Sequence, residues 1–205
     1  MEKEYSSDKI QALSAREHVR LRPLFYFEKC FKENSLDSLP FEVLCHAFDE
    51  YFDENCSEIK LTIWKDKFSI IYNAGMPLSV KYDKLTIAEI IMTKIGACSN
   101  LKKHLEVGQE FCSLGMATIN FASEKCNLTT LWKNKKGIFK FKNGIINTKN
   151  IEQFKSDDNW TEIFVKPSIK IFKELKFTSV GVKANAKMIS GRLEKLNLIV
   201  EDKIE

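Results

Sequence analysis

An α+β sandwich is the fold this sequence predicts, and three observations point to it. Six short segments read as strands, two of them close enough to form a hairpin. Five others carry helical periodicity or helix caps, and the two kinds are mixed along the chain. Hydrophobic residues make up 44% and charged residues 29%, the balance of an ordinary globular protein. Together they predict a two-layer architecture with a mixed, mostly antiparallel sheet and helices on one face.

The elements follow in order. Ser6-Ser7-Asp8 before KIQALSAREHVRLR predicts a capped helix that Pro23 ends, with Leu24–Asn34 as an aromatic, basic connector. A patterned helical segment covers 41–53. Glu58–Lys65 alternates, with Ile59, Leu61 and Ile63 on one face, and Asp66-Lys67 turns it into a second strand at Phe68–Tyr72. Thr86 and Glu89 form a capping box on a short helix. Residues 97–113 are polar and irregular, a loop or lid, and Leu114–Ser123 is a short buried helix. Strands are expected at 128–133, 137–142 and 160–166, with the polar stretch 143–159 interrupting the last two. A helix near 180–195 and a strand at 196–201 close the chain.

Bulk properties exclude several classes. The 205 residues suit a single domain, and 15 phenylalanines predict an aromatic-rich core. The six cysteines, at 30, 45, 56, 98, 112 and 126, show no C-x-x-C spacing, so no zinc or thioredoxin-like motif is written. The start is charged and polar, and no apolar run is long enough to span a membrane. A cytoplasmic protein with free thiols is the expectation. Net charge is +4 and the lysines are scattered, so a nucleic-acid role is not indicated. WKNKKGIFKFKNG, residues 132–144, interleaves lysines with aromatics, yet a hairpin with a solvated lysine face explains it as simply.

On a continuous helix over 41–53, Glu42, His46, Asp49, Glu50 and Asp53 fall in one stripe, opposite Leu44, Ala47, Phe48 and Tyr51. Two readings stay open. The stripe is a solvated acidic face, or a row of carboxylates and one imidazole lining a pocket.

Five collinear motifs carry a resemblance. EYSSDKIQALSAREHVRLRPLFYF resembles the opening of the gyrase B and topoisomerase IV B subunits, with their V-R-x-R-P-x-M-Y-I-G motif. FEVLCHAFDEYFDEN is similar to their E-V-V-D-N-x-x-D-E helix, YNAGMP to the D-N-G-x-G-I-P loop, INFAS to V-N-A-L-S, and WTEIFVKPS to G-T-x-V-x-F-x-P. The order holds from about residue 5 to residue 200. The resemblance implies the Bergerat-type sandwich of the GHKL ATPases, filling 1–205 as one domain, with residues 1–22 as an N-terminal arm and helix. Neither a transducer nor a DNA-cleavage region is expected within it.

The same resemblance implies a nucleotide pocket, and the residues at its positions depart from the family's. Glu42 matches the general base, here vestigial. His46 replaces the Asn that holds Mg²⁺, and an imidazole suits that hard cation poorly, so a metal at His46 is a weak expectation. Asp49 and Glu50 match the acidic pair. Tyr72 replaces the adenine-binding Asp, with Asn73 a poorer substitute, while Gly75, Met76 and Pro77 keep the end of that loop. Thr161 matches the Thr supporting the adenine contact.

The phosphate loop reads Gln109-Glu110-Phe111-Cys112-Ser113-Leu114-Gly115, keeping only Gly115 of its glycines, and Ala97-Cys98-Ser99-Asn100 stands in place of A-G-G-K. The expectation is a degenerate nucleotide-binding domain that does not hydrolyse ATP, with ATP and Mg²⁺ bound weakly or not at all. The alternative is an ATPase of the type II topoisomerase class with a rewired pocket. Tyr5 and Ile10 match arm residues that cross to a second subunit, implying a homodimer or a topoisomerase-subunit partner.

Overall fold

In a computed structural model, which describes residues 12–97, 103–108 and 110–204, the chain opens on a helix capped by its own side chains. Ser14 precedes α1 (Ala15–Leu21), its hydroxyl taking the Glu17 N–H while the Glu17 carboxylate takes the Ser14 N–H at 2.9 Å. The cap expected at Ser6–Asp8 lies outside the described residues. Pro23 does end this helix, and it then opens α2 (Pro23–Tyr26), where its missing N–H removes no bond. With α3 (Glu28–Lys32), most of the expected connector is helical.

The single helix over 41–53 is in fact two, α4 (Leu39–Glu42) and α5 (Cys45–Phe52). The break is a tight turn in which the Leu44 N–H reaches back only three residues, to Phe41 O at 3.3 Å. That turn destroys the angular phase linking Glu42 to the rest of the stripe. His46, Asp49 and Glu50 stay on α5; Glu42 belongs to another element and points elsewhere.

The hairpin forms as predicted: β1 (Glu58–Trp64) and β2 (Lys67–Tyr72) pair from Ile59↔Tyr72 to Trp64↔Lys67. A small second sheet, β3 (Val80–Tyr82) and β4 (Leu85–Thr86), leads into α6 (Ile87–Thr93), whose Thr86–Glu89 capping box is present. A 3₁₀ turn at Lys103–Val107 and α7 (Gly115–Ala122) follow. Then come β5 (Ser123–Trp132), β6 (Lys135–Lys142), β7 (Ile145–Gln153) and β8 (Trp160–Pro167). α8 (Ile169–Phe172), α9 (Ser179–Ser190) and β9 (Asn197–Asp202) complete the chain, α9 stopping at Gly191 rather than near 195.

The main sheet runs β7-β6-β5-β8-β2-β1-β9, antiparallel except for the β1–β9 pair. β7 corrects the reading of 143–159 as an interruption. All nine of its residues are exposed, so this edge strand lacks the alternation that betrays half-buried strands. Elsewhere alternation is strict: on β8 every second residue is buried. That inward face merges with the buried sides of α5, α7 and α9 into one core. The core is aromatic, as expected, with edge-to-face pairs Phe27–Phe172, Phe41–Phe111 and Phe68–Phe177. Such pairs contribute about 0.5–1.5 kcal/mol each beyond their buried area.

Candidate functional site

Three neighbouring strands place Thr130, Thr161 and Tyr72 in one row, since Thr161 on β8 stands opposite Thr130 on β5 and Tyr72 on β2. The row is buried and fully hydrogen-bonded through its threonines. Thr161 Oγ1 donates to Ala74 O at 2.8 Å and lies 2.9 Å from Thr130 Oγ1, which accepts the Met76 N–H at 2.7 Å. Strand register therefore fixes where the loop after β2 leaves the sheet.

α5 lays His46 over this row. Its Nδ1 is 3.1 Å from the Tyr72 hydroxyl, and its Nε2 is 3.6 Å from Glu50 Oε1, too far for a hydrogen bond. Nε2 is buried without a partner. Burial dominates the electrostatics here. It depresses the His46 pKa to about 4, so the ring is neutral at pH 7, and holds the Tyr72 phenol well above its usual range. It also raises the Glu50 carboxyl, which accepts from Asn55 Nδ2 at 2.9 Å.

Glu42 faces a different element. One oxygen accepts the backbone N–H of Leu114 at 2.8 Å, the other lies 3.4 Å from Ser113 Oγ, and Leu114 caps α7. A carboxylate at a helix start meets unpaired N–H groups and the positive end of the dipole. Burial still wins, pushing the Glu42 pKa up to about 7 against those hydrogen bonds. Gly115, at φ +73°, supplies the left-handed residue that starts α7.

The described parts of the expected lid are pinned to the body of the domain. Asp49 Oδ1 accepts from the backbone N–H of His104 at 2.7 Å and contacts its ring Nδ1 at 2.9 Å, both residues buried. Lys103 pairs with Asp53. Glu110 pairs with Arg192, whose guanidinium also donates to Val107 O and packs over the Phe111 ring. Cys112 donates to Phe41 O at 3.1 Å. Tyr5, Ile10, Cys98, Ser99, Asn100 and Gln109 lie outside the described residues.

Asn73, exposed, ties the hairpin end: its Oδ1 accepts from the Ser57 and Glu58 N–H groups at 3.0 Å, and its Nδ2 donates to Ser57 Oγ. A Cβ on Gly75 would collide with the Leu131 carbonyl, so only glycine fits. Met76 is fully buried, and Pro77 O accepts the Ala88 N–H, docking α6. Glu50, Asn73 and Gly75 border an open cleft of about 610 Å³ whose far wall is Trp132, Asp158 and Trp160.

The polar groups at these positions are thus engaged with one another and with backbone. Mg²⁺ asks for several oxygens around an open site. Here Glu42 holds α7, Asp49 holds His104, and His46 holds Tyr72. Among the described residues no three His, Cys, Asp or Glu side chains stand where they could hold a metal. His46, a nitrogen ligand already engaged with Tyr72, suits that hard cation poorly. Chemically, the arrangement offers one buried carboxyl, Glu42, with a pKa raised to about 7, and apart from it a hydrogen-bonded set around Tyr72 and Thr161 in which His46 Nε2 is left without a partner.

The structure brings His46, Tyr72 and Thr161 together, adds Thr130 and His104, which the sequence did not single out, and joins Leu114 of the expected phosphate loop to Glu42. Thr130 on β5 is three strands from both β2 and β8 in chain order, and only the β5–β8 register reveals it. His104 and Leu114 act partly through backbone N–H groups, which leave no trace in residue type.

The mostly antiparallel seven-stranded sheet and its helices form an α+β sandwich of GHKL-like architecture. No protein-family model matches the chain. It is 28% identical over 187 residues to the DNA gyrase B subunit of Rickettsia typhi, covering 88% of this chain and 23% of that protein. The DNA gyrase B subunit of Clostridium acetobutylicum is 27% identical over 182 residues, covering 84% of this chain and 28% of its own length. The type 2 topoisomerase B subunit of Aquifex aeolicus is 27% identical over 183 residues, covering 86% and 23%. The chain thus resembles one part of the gyrase B and type 2 topoisomerase B subunits, and spans about a quarter of the length of these curated relatives. Among the described residues no helix is long and apolar enough to cross a membrane.

Proposed function

We propose that this chain is a degenerate gyrase-B-like nucleotide-binding domain that does not hydrolyse ATP and serves as a protein-interaction or regulatory module. The observation that carries the reading is the His46–Tyr72 contact. Where the family resemblance implies a magnesium ligand and an adenine acceptor, these two side chains meet each other at 3.1 Å, buried. Opening that contact for a nucleotide leaves two buried polar groups without partners, at a cost of about 1–3 kcal/mol each. Glu42, already occupying the start of α7, argues the same way. The proposed partners are a second copy of the chain or a topoisomerase B subunit, through the arm bearing Tyr5 and Ile10.

One observation favours an alternative, an ATPase with a rewired pocket. Glu42 is buried and its pKa is about 7, the range that suits a general base at neutral pH. Calorimetric titration with a non-hydrolysable ATP analogue and Mg²⁺ separates the two. Absence of binding supports the degenerate domain. Micromolar binding that disappears in Glu42→Ala/Thr161→Val overturns it.

A further inference from the structure

The outer face of the sheet, at the end away from Tyr72 and Thr161, carries a row of lysines that sequence order hides. Phe141, Cys126, Val165, Phe68 and Ile63 pair across β6, β5, β8, β2 and β1, and all are buried. One residue along each strand, side chains point to the opposite face. There Lys125 stands between Lys142 and Lys166, Lys67 adjoins Lys166, and Trp64 is paired with Lys67. Five adjacent strands, spaced about 4.8 Å apart, thus present four ammonium groups and an indole over about 19 Å.

This row is open and largely unneutralised. Lys125 and Lys142 are exposed, and Trp64 is half-buried. Of the four lysines, only Lys166 has a carboxylate within ion-pair reach among the described residues, Glu124 at 3.4 Å. Lys67 and Lys203 stand over the Trp64 ring at 5.3 and 5.6 Å, so a base that stacks on the indole takes the place of one of these ammonium groups. Two residues further along, on the same face, Lys140 and Phe164 flank Asn127 and repeat the combination. The acidic Glu162 lies beyond these, toward the site end. Glu201 on β9 stands level with Thr62 on this face and pairs with Lys60, so acids border the lysine row.

We infer that this end of the sheet is a binding surface for single-stranded nucleic acid, with the lysine row on the phosphates and Trp64 and Phe164 offering faces to bases. A flat sheet face with aromatics among cations suits unpaired bases, whose rings are free to stack; a duplex hides them. The chain's net charge of +4 sums over 32 basic and 28 acidic residues and so does not register this local row. The reading revises the sequence-based view that the lysines are merely scattered.

The experiment is fluorescence anisotropy of a labelled 12-nucleotide oligothymidylate across a salt series. The expected result is binding at 50 mM salt that Lys125→Glu/Lys142→Glu weakens at least tenfold. Removing two phosphate-binding lysines should also lower the slope of log affinity against log salt by about 1.4. Trp64→Ala, or Trp64→Phe if the fold requires a ring, should weaken binding without changing that slope. Lys32→Glu/Lys187→Glu makes the same net-charge change elsewhere and should weaken it much less. No binding at 50 mM salt overturns the inference. So does an equal loss in the Lys32/Lys187 control, or heparin binding as tightly as the oligonucleotide with Trp64→Ala indifferent in both.

Discussion

The Tyr72 hydroxyl and His46 Nδ1 lie 3.1 Å apart, joining β2 to α5 inside the core. Both residues are buried, and the opposite ring nitrogen, Nε2, has no hydrogen-bond partner. A half-satisfied buried pair of this kind is sensitive to losing either member. Tyr72→Phe should destabilise the domain by about 1–3 kcal/mol, and so should His46→Leu. Removing both should cost less than the sum, because neither then strands the other. Urea unfolding of the two singles and the double measures the coupling; strict additivity would show that the contact contributes nothing.

Glu42 and His46 make opposite contributions to stability against pH. Glu42 has a folded pKa raised from 4.5 to about 7, so its contribution is present below about pH 4.5 and lost as pH rises through 7. His46 has a folded pKa lowered from 6.5 to about 4, so the unfolded chain binds more protons between those values and stability rises with pH. Each amounts to about 3 kcal/mol over its window, and the windows overlap. As far as these two groups act, the wild type should be nearly flat between pH 4.5 and 6.5. Glu42→Gln should unmask a stability that climbs with pH, and His46→Asn one that falls. Denaturant titrations at pH 4.5, 5.5 and 6.5 read both slopes, and slopes of the same sign in the two variants would contradict the assignment.

The lid segment should open separately from the core. Asp49 alone receives the backbone N–H and faces the ring nitrogen of His104, and it is the buried anchor of the 3₁₀ turn. Asp49→Ala should therefore speed amide hydrogen exchange across 103–107 by about 10–100-fold, the equivalent of losing about 1.5–3 kcal/mol of charged hydrogen bonding. Protection of β5 and β8 should change little. Uniform loss of protection throughout would show that the turn is not an independent unit.

How much of this was legible beforehand depends on where the information sits. The β1–β2 hairpin, the Thr86–Glu89 box and the buried α7 were readable because alternation, capping chemistry and apolar content are properties of residue type. β7 was not, since an edge strand exposed along its whole length has no burial pattern to print in the sequence. The turn at Val43–Leu44 was also invisible: residue types favour a continuous helix, and packing of Phe41 and Leu44 in the core overrides them. That single override moved Glu42 from the α5 stripe to the start of α7. Among site residues, residue types name candidates but not their partners, because partners such as Leu114 and His104 contribute main-chain groups.

Thr161 offers the sharpest separation of scaffold from pocket. Its hydroxyl donates to Ala74 O and meets Thr130, while Thr130 holds the Met76 N–H, so the two hydroxyls link β8 and β5 to the loop after β2. Thr161→Val keeps the shape and β-branching but leaves the Ala74 carbonyl unpaired in a site of zero exposure. The cost should be about 1–3 kcal/mol. Thr161→Ser keeps the hydroxyl and loses one buried methyl, a change of about 1 kcal/mol that should leave the loop in place. If the hydroxyl is what matters, Val should be the more destabilised variant although it buries more apolar surface. Thermal or urea unfolding decides the order, and a Val variant as stable as the wild type would show that the loop is held by Gly75 and Met76 packing alone.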